Sequence, residues 1–233
     1  MEIHIWSDVR CPFCYVGKRK FEKSIENFEH KDKIKVHWHS FELDPNIKTE
    51  PEVNSVDHLA LSKGISRANA EQMMGHVLKT AEDTDLVFNF DKSVVANSFN
   101  AHRLIQFAQS KGFGNQIEEA MFKAHFTDGI NIDDKQELLK IAESIGLDKE
   151  ETKSVLDSDQ FSDVVREDEI NAQKLGIRGV PFFVFNNKYA VSGAQPVDVF
   201  DEVLETSWKE FNQSDSPFIV SEGQSCDVDG NCD

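Results

Sequence analysis

The segment that says most about the fold of this chain is Ile3-His4-Ile5-Trp6-Ser7-Asp8-Val9-Arg10-Cys11-Pro12-Phe13-Cys14. The alternating isoleucines predict a strand that ends at Ser7-Asp8, and a helical pattern begins at the first cysteine and runs to about residue 29. Residues 34–41 form a second strand-like run bounded by charged residues. A strand, a helix and a strand in this order predict a βαβ unit at the start of the chain.

The remainder of the chain divides into a helical block and a second group of strands. Residues 55–175 carry helix-start and helix-stop signals, among them the capping residues Asp133 and Asp148, and no convincing strand. Two strand-like runs within residues 181–192 flank an Asn-Asn turn signal and predict a hairpin. Pro196 suits the first turn of a final helix.

The order βαβ, helices, ββα predicts an α/β chain with a thioredoxin-like fold and an inserted all-helical domain. The thioredoxin-like domain takes residues 1–54 and 176–211, and the inserted helical domain takes residues 55–175. Residues 212–233 form a C-terminal tail that contains two cysteines. Because the insertion separates the two sheet-forming segments, these segments must fold together.

The chain is strongly acidic, with 42 Asp and Glu against 25 Lys and Arg and a formal net charge of −17. Nucleic acids and anionic lipid surfaces repel such a chain, so neither is an expected partner. No apolar run approaches the roughly 18 residues of a membrane span, and the segment after Met1 lacks the basic and apolar regions of a secretory signal. We therefore expect a folded, cytoplasmic protein.

Four cysteines form two close pairs, Cys11 with Cys14 and Cys226 with Cys232. In a reducing compartment such pairs indicate redox catalysis or metal binding rather than static bridges. The free N–H groups and the positive dipole at the helix start favour the thiolate of Cys11. Cys14 lies one turn later, where it can attack a mixed disulfide at Cys11. Redox exchange with Cys11 as nucleophile is the favoured interpretation, and zinc binding is the alternative.

The dipeptide Val180-Pro181 is a candidate for substrate binding, although it lies far from the cysteines in sequence. In a thioredoxin fold a cis proline at this point places the preceding residue beside the CxxC motif. The backbone of Val180 could then pair with an extended substrate chain. The alternative is an ordinary trans proline that opens an edge strand.

With these motifs in place, the sequence resembles the DsbA-like thioredoxin-fold superfamily and, within it, the cytoplasmic FrnE-like dithiol-disulfide oxidoreductases. The matching stretches span the whole chain. They are Ser7-Asp8-Val9-Arg10-Cys11-Pro12-Phe13-Cys14-Tyr15-Val16-Gly17, Phe41-Glu42-Leu43-Asp44-Pro45, Asn97-Ser98-Phe99-Asn100-Ala101-His102-Arg103-Leu104, Gly176-Ile177-Arg178-Gly179-Val180-Pro181 and Ser192-Gly193-Ala194-Gln195.

The resemblance implies a thioredoxin domain with an inserted helical domain, a redox-active pair at Cys11 and Cys14, and a cis Pro181. We expect a thiol-disulfide oxidoreductase that exchanges disulfides with protein substrates and acts as reductase, oxidase or isomerase according to its redox potential. This chemistry requires no bound cofactor or metal, and glutathione or a thioredoxin-type system could recycle the enzyme. Phe13 stands where the periplasmic DsbA oxidants carry a histidine that stabilises the thiolate. This replacement argues for a less oxidising enzyme.

The resemblance also reaches 2-hydroxychromene-2-carboxylate isomerases and kappa-class glutathione transferases, which share the fold and bind glutathione. Those relatives typically carry serine at the position of Cys11 and lack the second cysteine. The intact pair in this chain favours disulfide exchange over a glutathione-dependent isomerase or transferase that acts on a small molecule. A further alternative is a non-enzymatic zinc-binding protein that uses all four cysteines.

The tail pair Cys226 and Cys232 looks like the second cysteine pair of some FrnE-like proteins. Five intervening residues can close a small disulfide loop, and Gly230 gives the backbone freedom to turn. The acidic residues between the cysteines do not match a calcium loop, because the glycine is misplaced and no bidentate glutamate follows. The alternative is a disordered acidic terminus with two idle thiols.

Four further residues are candidates for supporting roles. His37 and His39 share one face of a strand, and that face could run beneath the CxxC motif, where the two side chains could tune Cys14 or move protons. The favoured interpretation is an ordinary pair of satisfied or exposed strand histidines. His102 and Arg103 recur in the family motif, where they could orient the insertion over the active site or simply pack a helix.

Overall fold

The computed structural model describes residues 1–214, so the predicted pair Cys226 and Cys232 lies outside the described residues. The elements follow the predicted order. They are β1 (Glu2–Ser7), α1 (Pro12–Asn27), β2 (Lys35–Ser40), α2 (Ser55–Lys63), α3 (Arg67–Glu82), α4 (Phe99–Ser110), α5 (Gly114–Phe122), α6 (Lys135–Ser144), α7 (Lys149–Leu156), α8 (Ser162–Lys174), β3 (Phe182–Phe185), β4 (Tyr189–Ser192) and α9 (Val197–Ser214), with a 3₁₀ turn at Lys31–Lys33 and a π-helical turn at Lys123–Asp128.

The four strands form one mixed sheet in the order β2-β1-β3-β4. β1 and β2 are parallel and are joined through α1, whereas β3 pairs antiparallel with both β1 and β4. Ile5 lies between Trp38 on one side and Phe183 on the other. The predicted thioredoxin-like α/β fold with helices between its two sheet-forming segments is confirmed.

The two faces of the sheet follow from the period-two alternation of side chains along each strand. Ile3 and Ile5 of β1 are fully buried in the main core together with Trp38 of β2. The other face carries His4 and Trp6. The parallel register therefore places His37 beside His4 and His39 beside Trp6.

The helices between β2 and β3 begin at side-chain caps where the sequence provides them. Asn54 and Asp148 accept backbone N–H bonds at the starts of α2 and α7. The predicted cap at Asp133 is wrong by one residue, because Asp134 accepts the N–H groups of Gln136 and Glu137. Asp133 instead accepts hydrogen bonds from side chains in other segments.

One hydrophobic core joins the sheet to the helices of the insertion. Leu104 and Ile105 of α4 and Met121 of α5 are buried in the same cluster as Ile5 and Phe183 of the sheet. The core therefore crosses the predicted boundary between the two domains, and the division into domains stays a prediction. None of the helices described within residues 1–214 combines the length and apolar character that a membrane crossing needs.

Gly17 sets how closely α1 approaches the segment that opens β3. A Cβ atom on this glycine would lie 2.8 Å from Cγ of Pro181 and 3.4 Å from Cζ of Phe183. Real Cβ atoms essentially never come within 3.0 Å of another heavy atom, and a proline ring has little freedom to move away. The absence of a side chain at Gly17 therefore lets the first helix and Pro181 pack in direct contact.

We predict that Gly17→Ala lowers the free energy of unfolding, although alanine is the better helix former by about 1 kcal/mol. The added methyl group overpacks the contact with Pro181, which costs about 1–3 kcal/mol. Gly75→Ala is the matched control, because Gly75 lies within α3 and an added Cβ there would meet no atom within 4 Å, and it should raise stability by about 0.5–1 kcal/mol. Urea unfolding measures both, and an equal stabilisation by the two variants would contradict the close packing.

Candidate active site

Cys11 lies at the junction between β1 and α1. It is the N-cap residue of α1 and Pro12 occupies the first turn. The Cys11 N–H donates to the carbonyl oxygen of Asp8 at 2.9 Å, and the Cys14 N–H donates to the carbonyl oxygen of Cys11 at 3.0 Å. Both thiols are free, and Cys14, at 1% exposed, is more deeply buried than Cys11 at 5%. Cys11 is thus the outer thiol, at the start of α1, and Cys14 is the inner thiol, one helical turn later.

The segment before β3 brings a backbone carbonyl to the outer thiol. The Val180–Pro181 peptide bond is cis, as predicted. The Cys11 thiol donates a weak hydrogen bond to the carbonyl oxygen of Val180, with the sulfur 3.6 Å from the oxygen. The structure therefore brings together the four residues Cys11, Cys14, Val180 and Pro181 that the sequence singled out.

The inner thiol has a strongly perturbed acidity. Burial raises the pKa of Cys14 well above its ordinary value, and the adjacent Cys11 raises it further. The backbone of Asp8 and the hydroxyl of Ser7 oppose this shift without cancelling it. Cys14 is therefore a neutral thiol at neutral pH when the pair is reduced.

Asp8 is a fully buried carboxylate immediately before the cysteine motif. It accepts the N–H of Arg10 at 3.0 Å and the N–H of Leu43 at 2.8 Å, and its Oδ1 lies 3.4 Å from Nε2 of His102. Burial alone would raise the pKa of Asp8 and lower that of His102, but their mutual interaction lowers the first and raises the second. Each member of the pair thus stabilises the charged form of the other.

Two further buried groups near this pair are neutral over part of the usual pH range. Burial raises the pKa of Glu118 to about 7, although the charges of His102 and Lys18 oppose the shift. Burial lowers the pKa of His125 to about 4, and the charge of Arg10 contributes to the same shift. One oxygen of Glu118 and Nδ1 of His125 have no hydrogen-bond partner in the described part of the chain.

A charged network fastens the helix that carries the cysteines to α5. Lys18, only 2% exposed, donates to Glu22 at 2.6 Å and to Glu119 at 2.5 Å. The hydroxyl of Tyr15 also donates to Glu119, and Arg19 forms an ion pair with the same carboxylate. The orientation of α1, and with it the position of both thiols, is fixed against the helical segment.

His37 and His39 contact groups other than the cysteines, so the tuning role beneath the CxxC motif is wrong and the favoured interpretation as satisfied strand histidines fits. Nδ1 of His39 lies 2.6 Å from the carboxylate of Asp168 in α8, and its Nε2 lies 2.9 Å from Nδ1 of His4. Nε2 of His37 lies 3.3 Å from Glu2. The alternation of β2 turns both histidines to the sheet face that α8 covers, whereas the cysteines follow the carboxyl end of β1.

His102 and Arg103, adjacent in sequence, have different surroundings. His102 contacts Asp8 and so links α4 to the cysteine loop. Arg103 donates to the carbonyl oxygens of Val155, Ser158 and Gln160, at the end of α7 and in the turn that follows it. Of the two interpretations offered by the sequence, helix packing fits Arg103 and contact with the candidate site fits His102.

Sequence reasoning missed the buried groups Asp8, Glu118 and His125 and the position of Arg10. An aspartate directly after a buried strand was the one local signal for Asp8, whereas the contacts of the others depend on helix packing. Among residues 1–214, no three His, Cys, Asp or Glu side chains are arranged to hold a metal ion. The four-cysteine zinc alternative includes Cys226 and Cys232, which lie outside this range.

Comparisons with known proteins agree on the family. The DSBA-like thioredoxin domain family matches residues 2–205. An uncharacterised Bacillus subtilis protein, YwbO, is 31% identical over 212 residues, which are 90% of this chain and 98% of that protein. The crystal structure of a probable DsbA oxidoreductase from Streptomyces coelicolor has a TM-score of 0.85 at 34% identity and covers 100% of this chain and 98% of its own.

A more distant structure shares the fold. The cytosolic disulfide reductase DsbM from Pseudomonas aeruginosa has a TM-score of 0.66 at 18% identity, covering 90% of this chain and 100% of its own. The same protein has also been solved with GSH, with a TM-score of 0.65 at 19% identity and the same coverage. At this identity the likeness establishes the fold alone.

The raised pKa of Glu118 predicts a pH dependence of stability. A glutamate in the unfolded chain ionises near its ordinary pKa of 4.5, whereas the folded chain holds this proton up to about pH 7. The folded state therefore binds more protons in this window, and Glu118 should make the free energy of unfolding fall as the pH rises from about 4.5 to 7. Glu118→Gln cannot ionise and so lacks this pH dependence. The free energy of unfolding of the variant, measured relative to that of the unmodified protein, should therefore rise by about 3 kcal/mol between pH 4.5 and pH 7.

Urea unfolding at pH 4.5 and pH 8 measures this difference. Glu202→Gln is the matched control, because Glu202 is exposed on α9 and its replacement should leave the pH dependence unchanged. A Glu118→Gln effect of the same size at both pH values would contradict the assignment of a buried, protonated carboxyl.

Proposed function

This chain belongs to the DSBA-like thioredoxin domain family, and we propose that it is a thiol-disulfide oxidoreductase whose catalytic pair is Cys11 and Cys14. Its substrates are disulfides or thiols of proteins. We further propose that it belongs to the FrnE-like subgroup, which the matching motif stretches support, and that it acts in the cytoplasm.

One observation supports this proposal above all others: the sulfur of Cys11 lies at the start of α1 and 3.6 Å from the carbonyl oxygen of Val180. A substrate chain that lies along the Val180 backbone would bring its sulfur to the outer thiol. The helix start offers free N–H groups to the thiolate that forms there.

The first step is an attack by the Cys11 thiolate on one sulfur of the substrate disulfide. A new S–S bond forms between Cys11 and that sulfur, the substrate S–S bond breaks, and the second sulfur leaves as a thiolate. No electron acceptor other than the substrate is required. The thiol proton of Cys11 passes to solvent before the attack.

In the second step Cys14 attacks the Cys11 sulfur of the mixed disulfide. The Cys11–Cys14 disulfide forms, the remaining substrate sulfur leaves as a thiolate, and the proton of Cys14 is released. Two electrons have then passed from the enzyme to the substrate. The raised pKa of Cys14 keeps it protonated until the mixed disulfide is in place, so the two thiols do not compete as nucleophiles.

The identity of the residue at position 13 bears on the direction of exchange. Phe13 supplies no positive charge or N–H group to the Cys11 thiolate, unlike a histidine at the same position. A less stabilised thiolate favours the reductase or isomerase direction over strong oxidation. Recycling of the oxidised pair then falls to glutathione or a thioredoxin-type dithiol, and the GSH-bound structure of DsbM is consistent with the first.

The two rival functions find less support in the site. A glutathione-dependent isomerase or transferase has no need for a second thiol, yet Cys14 lies buried directly behind Cys11. A structural zinc site draws four thiolates together, whereas the described pair lies in an apolar cluster with Tyr15, Phe122 and Phe126. Disulfide exchange uses both cysteines as they are placed.

We predict different outcomes for the two single cysteine substitutions. Cys11→Ser removes the nucleophile and should reduce insulin reduction with dithiothreitol to the uncatalysed rate. Cys14→Ser keeps the attack but lacks the resolving thiol, so it should accumulate mixed disulfides with substrate. Non-reducing electrophoresis and mass spectrometry detect these adducts.

Equal accumulation of adducts in both variants would show that the roles are assigned wrongly. Catalysis retained by Cys11→Ser would reject the proposed function itself. A matched control is Ser62→Cys, which adds an exposed thiol on α2, at a residue assigned no role in the reaction, and should leave the rate of insulin reduction unchanged.

The tail cysteines carry a second proposal, that Cys226 and Cys232 form an additional redox pair that exchanges electrons with Cys11 and Cys14. The motivation is their loop-closing spacing in the sequence. Because these cysteines belong to the same chain as Cys11 and Cys14, their local concentration at the active site would rise to about the millimolar range.

The double variant Cys226→Ser, Cys232→Ser should then recycle more slowly than the unmodified protein. A disulfide between a tail cysteine and Cys11 should be trapped in the unmodified protein. Equal recycling with no such bridge would reject the second pair.

A further inference from the structure

A cavity of about 700 Å³ opens beside the outer cysteine. Cys11 and Phe13 form part of its wall, and α2, α3 and the segment around Phe90 close the other sides. Most of the wall is apolar, with Met73, Val77, Phe90 and Phe126 among the lining residues. The volume is that of a pocket for one small molecule.

The charge of this wall is opposite to the charge of the whole chain. The net charge is −17, yet none of the lining residues among residues 1–214 is an aspartate or a glutamate. Arg10 and Lys63 are permanent cations in the wall, and His58, His76 and His125 also line it. A cavity without acidic residues in so acidic a chain favours an anionic occupant.

Arg10 is the cation nearest in sequence to the nucleophile. Its Nη1 is buried and has no hydrogen-bond partner, and the guanidinium forms no ion pair within residues 1–214. By contrast, Arg19 and Arg166 each pair with glutamates. A buried donor without a partner is costly, so the missing partner of Arg10 points to a ligand.

His125 supplies a second unpartnered group in the same wall. It is 6% exposed, and its Nδ1 has no hydrogen-bond partner in the described part of the chain. Burial and the charge of Arg10 lower the pKa of His125, which keeps its imidazole neutral at neutral pH. A neutral imidazole can donate an N–H to an anion without adding a charge that would repel Arg10.

We propose that this cavity binds a low-molecular-weight disulfide that carries a carboxylate, and that Arg10 is the residue that recognises the carboxylate. The apolar body of the ligand would lie against Met73 and Phe90, and its sulfur at Cys11. The planar guanidinium matches a carboxylate with two parallel N–H bonds. The inference rests on the proposed function and adds a small, anionic class of disulfide to its substrates.

The reaction on such a ligand uses the chemistry already described. The Cys11 thiolate displaces one carboxylate-bearing thiolate from the disulfide, and Cys14 then displaces the second and closes the Cys11–Cys14 disulfide. One disulfide is reduced to two thiols, and the two electrons come from the cysteine pair. A dithiol reductant returns the pair to its reduced form for another turnover.

Two aromatic disulfides of similar size test this proposal. 5,5′-Dithiobis(2-nitrobenzoate) carries a carboxylate on each ring, whereas 4,4′-dithiodipyridine is uncharged at neutral pH. The full chain with Cys226→Ser and Cys232→Ser, fully reduced beforehand, leaves Cys11 and Cys14 as its only reactive thiols. Stopped-flow absorbance gives the second-order rate constant for each disulfide.

In this background Arg10→Met should slow the reaction with the carboxylated disulfide by about tenfold relative to the neutral one, a factor that corresponds to about 1.4 kcal/mol. Arg10→Lys keeps the positive charge without the two parallel N–H donors of the guanidinium. It should slow the reaction with the carboxylated disulfide less than Arg10→Met does. Arg178→Met is the matched control, because Arg178 is exposed, lies near Pro181 in sequence and does not line the cavity. This control should leave the ratio of the two rates unchanged.

A second measurement tests whether Arg10 binds a carboxylate that cannot itself react with the cysteines. Benzoate should slow the attack on 4,4′-dithiodipyridine in the background protein by occupying the cavity, and this protection should be lost in Arg10→Met. An Arg10→Met variant that slows both disulfides equally, or neither, would overturn the carboxylate site. In that case continued insulin reduction by the same variant would show that the proposed function still stands.

Discussion

The buried carboxylate of Asp8 is the contact on which the geometry of the candidate site depends. It accepts N–H groups from the cysteine loop and from Leu43, and it faces His102 of α4. A buried carboxylate without partners would cost several kcal/mol, so these contacts must form together as the chain folds. Through Asp8 the end of β1, the loop that carries Cys11 and the helical segment are held as one unit.

The architecture was predictable because its signals are local. The alternating isoleucines, the break before Cys11 and the Asn-Asn turn each act within a few residues. The surroundings of His37 and His39 were not predictable in the same way, because they depend on which face of the sheet packs against α1 and which packs against α8. Their shared face was predicted correctly, but its neighbours were not.

The buried charges of the site lay beyond sequence reasoning for a related reason. Asp8 and His102 are far apart in the chain, and only the docking of α4 brings them to 3.4 Å. The lining of the cavity is a similar case, since a net charge of −17 describes the surface as a whole and says nothing of one concave wall. Composition excludes partners for the whole molecule, but it cannot assign the charge of a pocket.

We propose that Cys11 and Cys14 act as one two-electron couple. The full chain can be equilibrated in glutathione buffers of graded ratio, alkylated and analysed by peptide mapping. A Cys11–Cys14 disulfide should then replace the two thiols in a single transition, with a tenfold change in equilibrium constant for about every 30 mV. Separate glutathione adducts on each cysteine, with no Cys11–Cys14 disulfide at any ratio, would contradict it.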